Sequence, residues 1–576
     1  MRRVYTHGFK IELDLSSQVL HLRIPSDIDW LDDRSAPLGR VEAEIEPKFP
    51  AGRAGVCMSA AALALKAKQF DDGLYAAVEL AAERGAGRIG SKRDAIVALA
   101  RALAAAPLYD EAGNVAEVLA AAANLGGSTA GWPPDLEPGV KSRIESFLND
   151  DRRSKPLGFY TWNADLEAIF RQDRMLQTTL DGREGIRRLV TTLRQNRATR
   201  TTYENVLTLV SRLTNPFAEP DLRCLLGAGD ESVVPAGGVC FFPTSRSRET
   251  DLVKKLYGNR SIPERFNLVE EMIRRIREGN LQLEPRSDSG WYDYQTWALE
   301  PLVIPEHMAE AAHLEFHPSY AQRLLELFKG VLALTRETHV KQLESPVSAM
   351  AMPETLTRVL VEPHLSVEPL PTFYSRRARA YRYVHGVLRD TFGDQVLDTM
   401  CRLTAAGPVV TALGTELLRM ESLFYGAYAT ACGEIGMTAT VSPPARSRGE
   451  LKADAEHFQL WHHQMRDDPD LAADARMMVP LFFDVERRKT KVWVFLGWAS
   501  GPLAVSFARV PEATVLDHSG RRVERGGPQI EFTNAEYHLA YPVSAEVYTE
   551  RLLDRSEFRE LCNRYRTRSA ILNQLG

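Results

Sequence analysis

Two periods divide the chain. From about residue 55 to 470, apolar residues recur at helical spacing, and from about 477 to 545 they alternate with a period of two. "GVCMSAAALALKAKQFDDGLYAAVELAAERG" and "KRDAIVALARALAAAPLYDEAGNVAEVLAAAANLGG" are rich in alanine and leucine, which favour helix. Further helices are predicted in "NADLEAIFRQDRMLQTTL", "GREGIRRLVTTLRQN", "IPERFNLVEEMIRRIREG", "HPSYAQRLLELFKGVLALTRETHVKQLE", "SRRARAYRYVHGVLRDTFG" and "SRGELKADAEHFQLWHHQM". A loop, "LGAGDESVVPAGGVCFFPTS", interrupts them. Past Met477, "MMVPLFFDVERRKTKVWVFLGW" predicts two strands around a Glu-Arg-Arg-Lys turn. "PLAVSFARV", "ATVLD" and "QIEFTNAEYHLAYPV" continue the alternation, and a last helix is expected near 545–570. Residues 8–24 alternate around Ser-Ser and predict a β-hairpin, whose membership of the C-terminal sheet is left open.

The expected fold is mainly α. A multi-helix region, with helical hairpins at its N-terminal side, is followed by a small antiparallel β domain and a terminal helix. The expected divisions are an N-terminal hairpin and connector (1–54), alanine-rich helical hairpins (55–125), a central helical domain (140–470) and a C-terminal β domain with its helix (475–576). The stretch "GGSTAGWPPDLEPG" (126–139) reads as a linker. Within the hairpins, "FDDGLYAAVELAA" (70–82) aligns with "YDEAGNVAEVLAA" (109–121). Asp71/Asp110, Ala77/Ala116, Leu80/Leu119, Ala81/Ala120 and Ala82/Ala121 are identical. Over about seventy residues this resembles tetratricopeptide-type repeats, and the resemblance implies stacked helical pairs presenting a groove.

Charge narrows the partners. Lys plus Arg number 71 against 76 for Asp plus Glu, a net charge of −5. This predicts no general attraction to nucleic acid or to anionic membrane. The six cysteines are scattered, with no C-x-x-C, so neither a zinc ribbon nor a disulfide framework is expected. No apolar run reaches the roughly eighteen residues of a membrane span. "MRRVYTHGFKIELDL" has no apolar stretch behind its arginines, so it reads as a strand, not a signal peptide. A cytoplasmic location is expected, or a secreted one if a signal had been removed.

Three motifs read best as structure. "GAGRIG" (85–90) matches a dinucleotide loop, but a helix, not a strand, precedes it. It is expected to be a helix–helix turn, with Ser91 capping the next helix and no nucleotide cofactor. "GWASG" (497–501) has its serine one place late for a nucleophile elbow and is expected to be a turn. "SRRARAYRYVHG" (375–386) fans arginines among tyrosines, a combination that suits anions or stacked bases. The plainer expectation turns the tyrosines inward and the arginines to water or carboxylates.

Two stretches carry candidate chemistry. "SDSGWYDYQTWALE" (287–300) sets Trp291, Tyr292, Tyr294 and Trp297 among Asp288, Asp293 and Glu300, as sugar-handling clefts do. "EHMAEAAHLEFH" (306–317) packs three of the chain's 13 histidines among three glutamates. Pro305 predicts a short helix that makes His307 and Glu310 neighbours on one face. His313 and His317 fall on an extended segment, and Pro318 begins a helix whose interior stripe includes His339, near Glu337. A second cluster holds Glu456, His457, His462 and His463. Metals such as zinc, iron or manganese take neutral imidazoles and carboxylates converging from several elements. The candidate metal ligands are therefore His307, His313, His457 and His462, with Glu310, Glu337 and His339 as catalytic groups. If the site forms, His339 must meet His457 or His462 beside a glutamate; otherwise the histidines are dispersed.

These features predict a soluble enzyme of hydrolytic type, with a His/Glu acid-base or divalent-metal site acting on a small-molecule or polymer substrate. One alternative is a non-catalytic helical-repeat scaffold or binding protein with a protein partner. Another is a carbohydrate-active protein using residues 287–300.

Overall fold

The computed structural model describes residues 3–6, 9–10, 57–105, 110–180, 182–227, 234–235, 237–258, 260, 262, 266–343, 365–441, 446–464, 478–484, 489–509, 515–516, 522–523, 531–549, 553, 555–565 and 568–575. Ser59 opens helix α1 (Ala60–Arg84) by accepting from the Ala62 amide at 3.0 Å, and Gly85 closes it at φ +82°. Ser91 opens α2 (Lys92–Ala104) by accepting from the Asp94 amide. "GAGRIG" is thus a turn between two helices, as its capping residues predict. Next come α3 (Asp110–Leu125), α4 (Glu137–Leu148), α5 (Ala164–Leu176), α6 (Arg183–Gln195), α7 (Arg197–Leu213), α8 (Arg248–Tyr257), α9 (Leu268–Arg277) and α10 (Trp291–Trp297). Then follow α11 (Pro318–Thr338), α12 (Pro371–Phe392), α13 (Leu413–Glu434) and α14 (Arg448–Gln464). The fold is mainly α, as the 3.6-residue period predicts. Among the described residues no helix is long and apolar enough to cross a membrane.

Both segments aligned as a repeat are helical, one inside α1 and the other opening α3. Their settings differ. Helix α1 is buried on almost every side, against α2, α5, α11 and two strands, instead of lining an open groove. Buried side chains form one continuous cluster from Cys57 to Leu575, shared by the early hairpins, the central helices and the closing ones.

The β structure is a ribbon of two long strands, β8 (Lys489–Arg509) and β9 (Glu531–Thr549), paired antiparallel from Thr490↔Thr549 to Arg509↔Glu531. Short strands line both of its edges. Strands β7 (Met478–Asp484) and β4 (Leu314–Phe316) pair with β8. Strands β1 (Arg3–Thr6) and β3 (Cys57–Met58) pair with β9, β1 antiparallel and β3 parallel. Strand β2 (Phe9–Lys10) extends β1. The N-terminus therefore does join the C-terminal sheet. Of the hairpin expected at 8–24, and of the connector to 54, only Phe9–Lys10 lie among the described residues.

Two expectations are corrected. "GWASG" is not a turn but part of β8. A register shift between Phe495 and Gly497 absorbs the irregularity. Between residues 495 and 504 β8 has no described partner on its second edge, and Gly497, Gly501 and Pro502, which weaken an interior strand, fall there. The final helix does not start near 545, because β9 runs to Thr549. Two shorter helices follow, α15 (Arg555–Arg564) and α16 (Arg568–Leu575). The helical region also contains a hairpin of its own, β5 (Cys401–Thr404) with β6 (Gly407–Ala412).

Candidate functional site

The segment 305–318 folds locally much as its prolines dictate. Pro305 opens a short 3-10 turn (Pro305–His307), a second spans Ala309–Ala312, β4 follows, and Pro318 starts α11. The candidate ligands do not converge. His307 is exposed, His313 is half-buried, and His457 is exposed on α14. His462 is half-buried against the Phe458 ring. Glu310 is buried instead and accepts from Thr372 Oγ1 at 2.5 Å. Burial raises its carboxyl pKa. Glu337 forms an ion pair with Lys68 inside the core. Among the described residues, no three His, Cys, Asp or Glu side chains gather as a metal requires.

His339 does face the interior, as its helical stripe predicts, but it meets different partners. Its ring is fully buried, edge-on to Tyr75, Trp291 and Tyr292, with centroids 5.1–5.7 Å away. Its Nε2 lies 2.8 Å from Gln295 Oε1. Burial, followed by Lys68, Arg377 and Arg336, holds its pKa well below the ordinary histidine value. Two of the three carboxylates of 287–300 are likewise engaged, and Asp288 is exposed. Asp293 pairs with buried Arg248 at 2.9 Å, and Glu300 with Arg376 at 2.6 Å. Trp291 and Tyr292 are enclosed and line no open cleft.

What the helices do bring together is a buried ionic network along the polar stripe of α1. Lys68 donates to Asp72 at 2.6 Å and pairs with Glu337. Asp71 accepts from Arg377, from Tyr381 at 2.9 Å and from the Gln295 amide at 2.8 Å. Two turns on, Glu79 accepts from Lys341 Nζ at 2.6 Å and from Tyr160 at 2.8 Å. Asp173 accepts from Lys341 at 2.7 Å and from Lys92 at 2.8 and 2.9 Å. Lys92 also reaches Glu83 at 3.1 Å. Burial alone would raise the Asp173 pKa, but Lys341 and Lys92 outweigh it and hold it below the ordinary value. Burial alone would lower Lys92, but Asp173, Glu83 and Glu79 outweigh it and raise its pKa. Both groups are thus held as ions, an arrangement for fixing charge and not for passing protons.

Size separates this network from a binding site. Glu79, Lys92, Asp173 and Lys341 border a cavity of ≈ 40 Å³. A water needs about 10–15 Å³ on the same measure, so this cavity holds a few waters and no organic ligand. A larger opening, ≈ 470 Å³, lies between α8, the end of α9 and the segment 279–286. Ligand sites occupy roughly 300–1,000 Å³. Four cations line it, Arg248, Lys255, Arg275 and Arg286, against the carboxylates of Asp251 and Glu284. Two of the cations are anchored. Arg248 pairs with Asp293 and donates to the Glu284 carbonyl at 3.0 Å, and Arg275 Nε meets Glu271 Oε1 at 2.6 Å. Lys255 and Arg286 are exposed, with no ion-pair partner among the described residues. A capping box of Ser247 and Thr250 fixes the start of α8, and Gly279, at φ +71°, turns the chain after α9. The sequence showed these residues only as ordinary surface charges on amphipathic helices.

No family model, no curated protein and no solved structure matches the chain.

Proposed function

We propose that the protein binds a small carboxylate or phosphate anion in the cleft between α8, α9 and the 279–286 segment. The observation that carries this reading is the cleft's lining, in which two anchored arginines stand beside two unpaired cations in a space of ligand size. Arginine forks suit carboxylates and phosphates, and anchoring lowers the side-chain entropy lost on binding. Leu252, Leu281 and Pro285 supply apolar surface for the body of such a ligand. The hydrolytic reading has less support, because Glu310, Glu337 and His339 are each engaged with a different neighbour.

Calorimetric titration of the full chain with citrate and with pyrophosphate tests the proposal. Saturable binding that weakens at high salt and falls at least tenfold in Lys255→Glu/Arg286→Glu is expected. Absence of binding by both anions, or binding that the double variant retains, would sink it.

A further inference from the structure

Helices α12, α13 and α14 bring three arginines to one place. Arg379 and Arg382 come from α12, Arg446 lies two residues before α14, and all three, after Glu421, are electrostatic neighbours of the Tyr425 hydroxyl on α13. Arg446 lies over the Tyr425 ring, 5.2 Å from its centroid. Two carboxylates face them. Glu421 Oε1 is 3.4 Å from Arg382 Nε and 3.5 Å from Arg446, and Asp454 Oδ2 is 3.0 Å from Arg446 Nε. Glu450 stands at the exposed rim, holding the Ser447 amide. Arg379 has no carboxylate partner among the described residues, and its guanidinium lies over Trp297 at 5.8 Å.

Hydrogen bonding here is incomplete in an unusual way. Tyr425 Oη, Glu421 Oε1, Arg446 Nε and Asp454 Oδ2 are all buried without a hydrogen-bond partner. The Arg446–Asp454 and Arg446–Glu421 contacts are therefore close in charge but poorly aligned as hydrogen bonds. Tyr425 itself is fully buried. Buried polar groups nearly always find partners, so four orphans in one cluster ask for something between them. Inside the cluster three cations face two anions, and Glu450 at the rim adds a third carboxylate. The arginine/tyrosine run at 375–386 has mostly the plain role expected of it, since Arg376 and Arg377 pair with Glu300 and Asp71. Arg379 is the exception.

The geometry points to a second anion site, in which Arg379 and the Tyr425 hydroxyl hold the oxyanion of a monoanionic group, either a carboxylate or a singly charged phosphate. Arg382, with its side chain 40% exposed, opens the cluster to solvent. Arg446 gains an aligned acceptor, and Trp297 backs Arg379. This site is separate from the α8/α9 cleft and does not depend on it.

The test titrates the full chain with acetate and with inorganic phosphate, for the wild type, Tyr425→Phe, Arg379→Gln and Lys255→Glu/Arg286→Glu. Saturable binding of one probe is expected, weakened about tenfold in Tyr425→Phe and in Arg379→Gln, the loss of one hydrogen bond to a charged group. The better probe distinguishes carboxylate from phosphate. Unliganded Tyr425→Phe should unfold at the wild-type temperature or above it, since it removes only an unpartnered hydroxyl. Binding lost in Lys255→Glu/Arg286→Glu but kept in the other two variants belongs to the cleft and overturns this site alone. No binding of either probe, with ordered water bonded to the four atoms in a crystal structure, overturns it as well.

Discussion

His339 Nε2 is held 2.8 Å from Gln295 Oε1, and Gln295 in turn donates its amide nitrogen to Asp71 at 2.8 Å. An amide whose nitrogen is committed to a carboxylate has only its oxygen left for the imidazole. His339 must then donate from Nε2, and the lone pair sits on Nδ1, which has no partner. The ring is neutral and takes part in a hydrogen-bonded chain to Arg377 through Asp71.

This has a pH signature. The folded-state pKa of His339 is depressed, so below the unfolded value of about 6.5 the unfolded chain binds a proton that the folded chain refuses. Stability from this residue is complete above that value and falls as pH drops toward the folded pKa. We expect His339→Phe to reduce the slope of unfolding free energy between pH 6.5 and 5.5 by up to about 1.4 kcal/mol per pH unit. Urea unfolding at the two pH values measures it, and equal slopes in wild type and variant would show that His339 does not titrate on unfolding.

Lys341→Met should be severe. It leaves Glu79 and Asp173 buried with a lost partner, which costs about 3–5 kcal/mol. Urea unfolding at neutral pH should register the loss, and a cost under about 1 kcal/mol would mean that water enters and compensates.

The same variant should shift acid unfolding. The folded pKa of Asp173 is lowered, so its stabilisation is present above the unfolded value of about 3.9 and is lost as pH falls through the folded one. Removing Lys341 raises the folded pKa, so unfolding on acid titration should begin at higher pH than in the wild type. An unchanged acid midpoint would place the stabilisation of Asp173 with Lys92 alone.

Two helical glycines should answer oppositely to alanine. A Cβ at Gly386 in α12 meets nothing within 4 Å, so Gly386→Ala should stabilise by about 0.5–1 kcal/mol through helix propensity. At Gly73 in α1 a Cβ would lie 2.2 Å from the Leu403 carbonyl oxygen and 2.4 Å from Arg402 Cγ. There Gly73→Ala should destabilise by about 1–3 kcal/mol, because the β5 backbone must move. Thermal unfolding of both variants checks the contrast; the same sign in both would refute the close packing of β5 on α1.

The helices and strands were legible because their periods are long and clean. Caps such as Ser59, Ser91 and Asn163 stand where sequence rules put them. The long β8 was divided too early, because Gly497, Gly501 and Pro502 carry the signature of a turn and only pairing with β9 overrides it. The ionic network was not legible at all. Lys68, Asp71, Asp72, Glu79 and Glu83 repeat at helical spacing, which by itself describes a solvated face. Their partners, Gln295, Glu337, Lys341 and Arg377, lie in distant helices and loops, so nothing local marks the stripe as buried. His339 was placed correctly in the interior, but its partners are an amide and three aromatic rings, which carry no metal-ligand pattern.

Strand β9 has one further consequence. It joins β8 on one edge to β1 and β3 on the other, so among the described strands β8 meets β1 and β3 through it. During synthesis, α1 through α14 can gather before β9 exists, and Met58 can already pair with the Ser366–Glu368 backbone, while the edge of residues 3–6 that β9 will cover stays open. Closure of the sheet is then a late event, and a chain interrupted before Glu531 carries exposed strand edges that invite pairing with other chains.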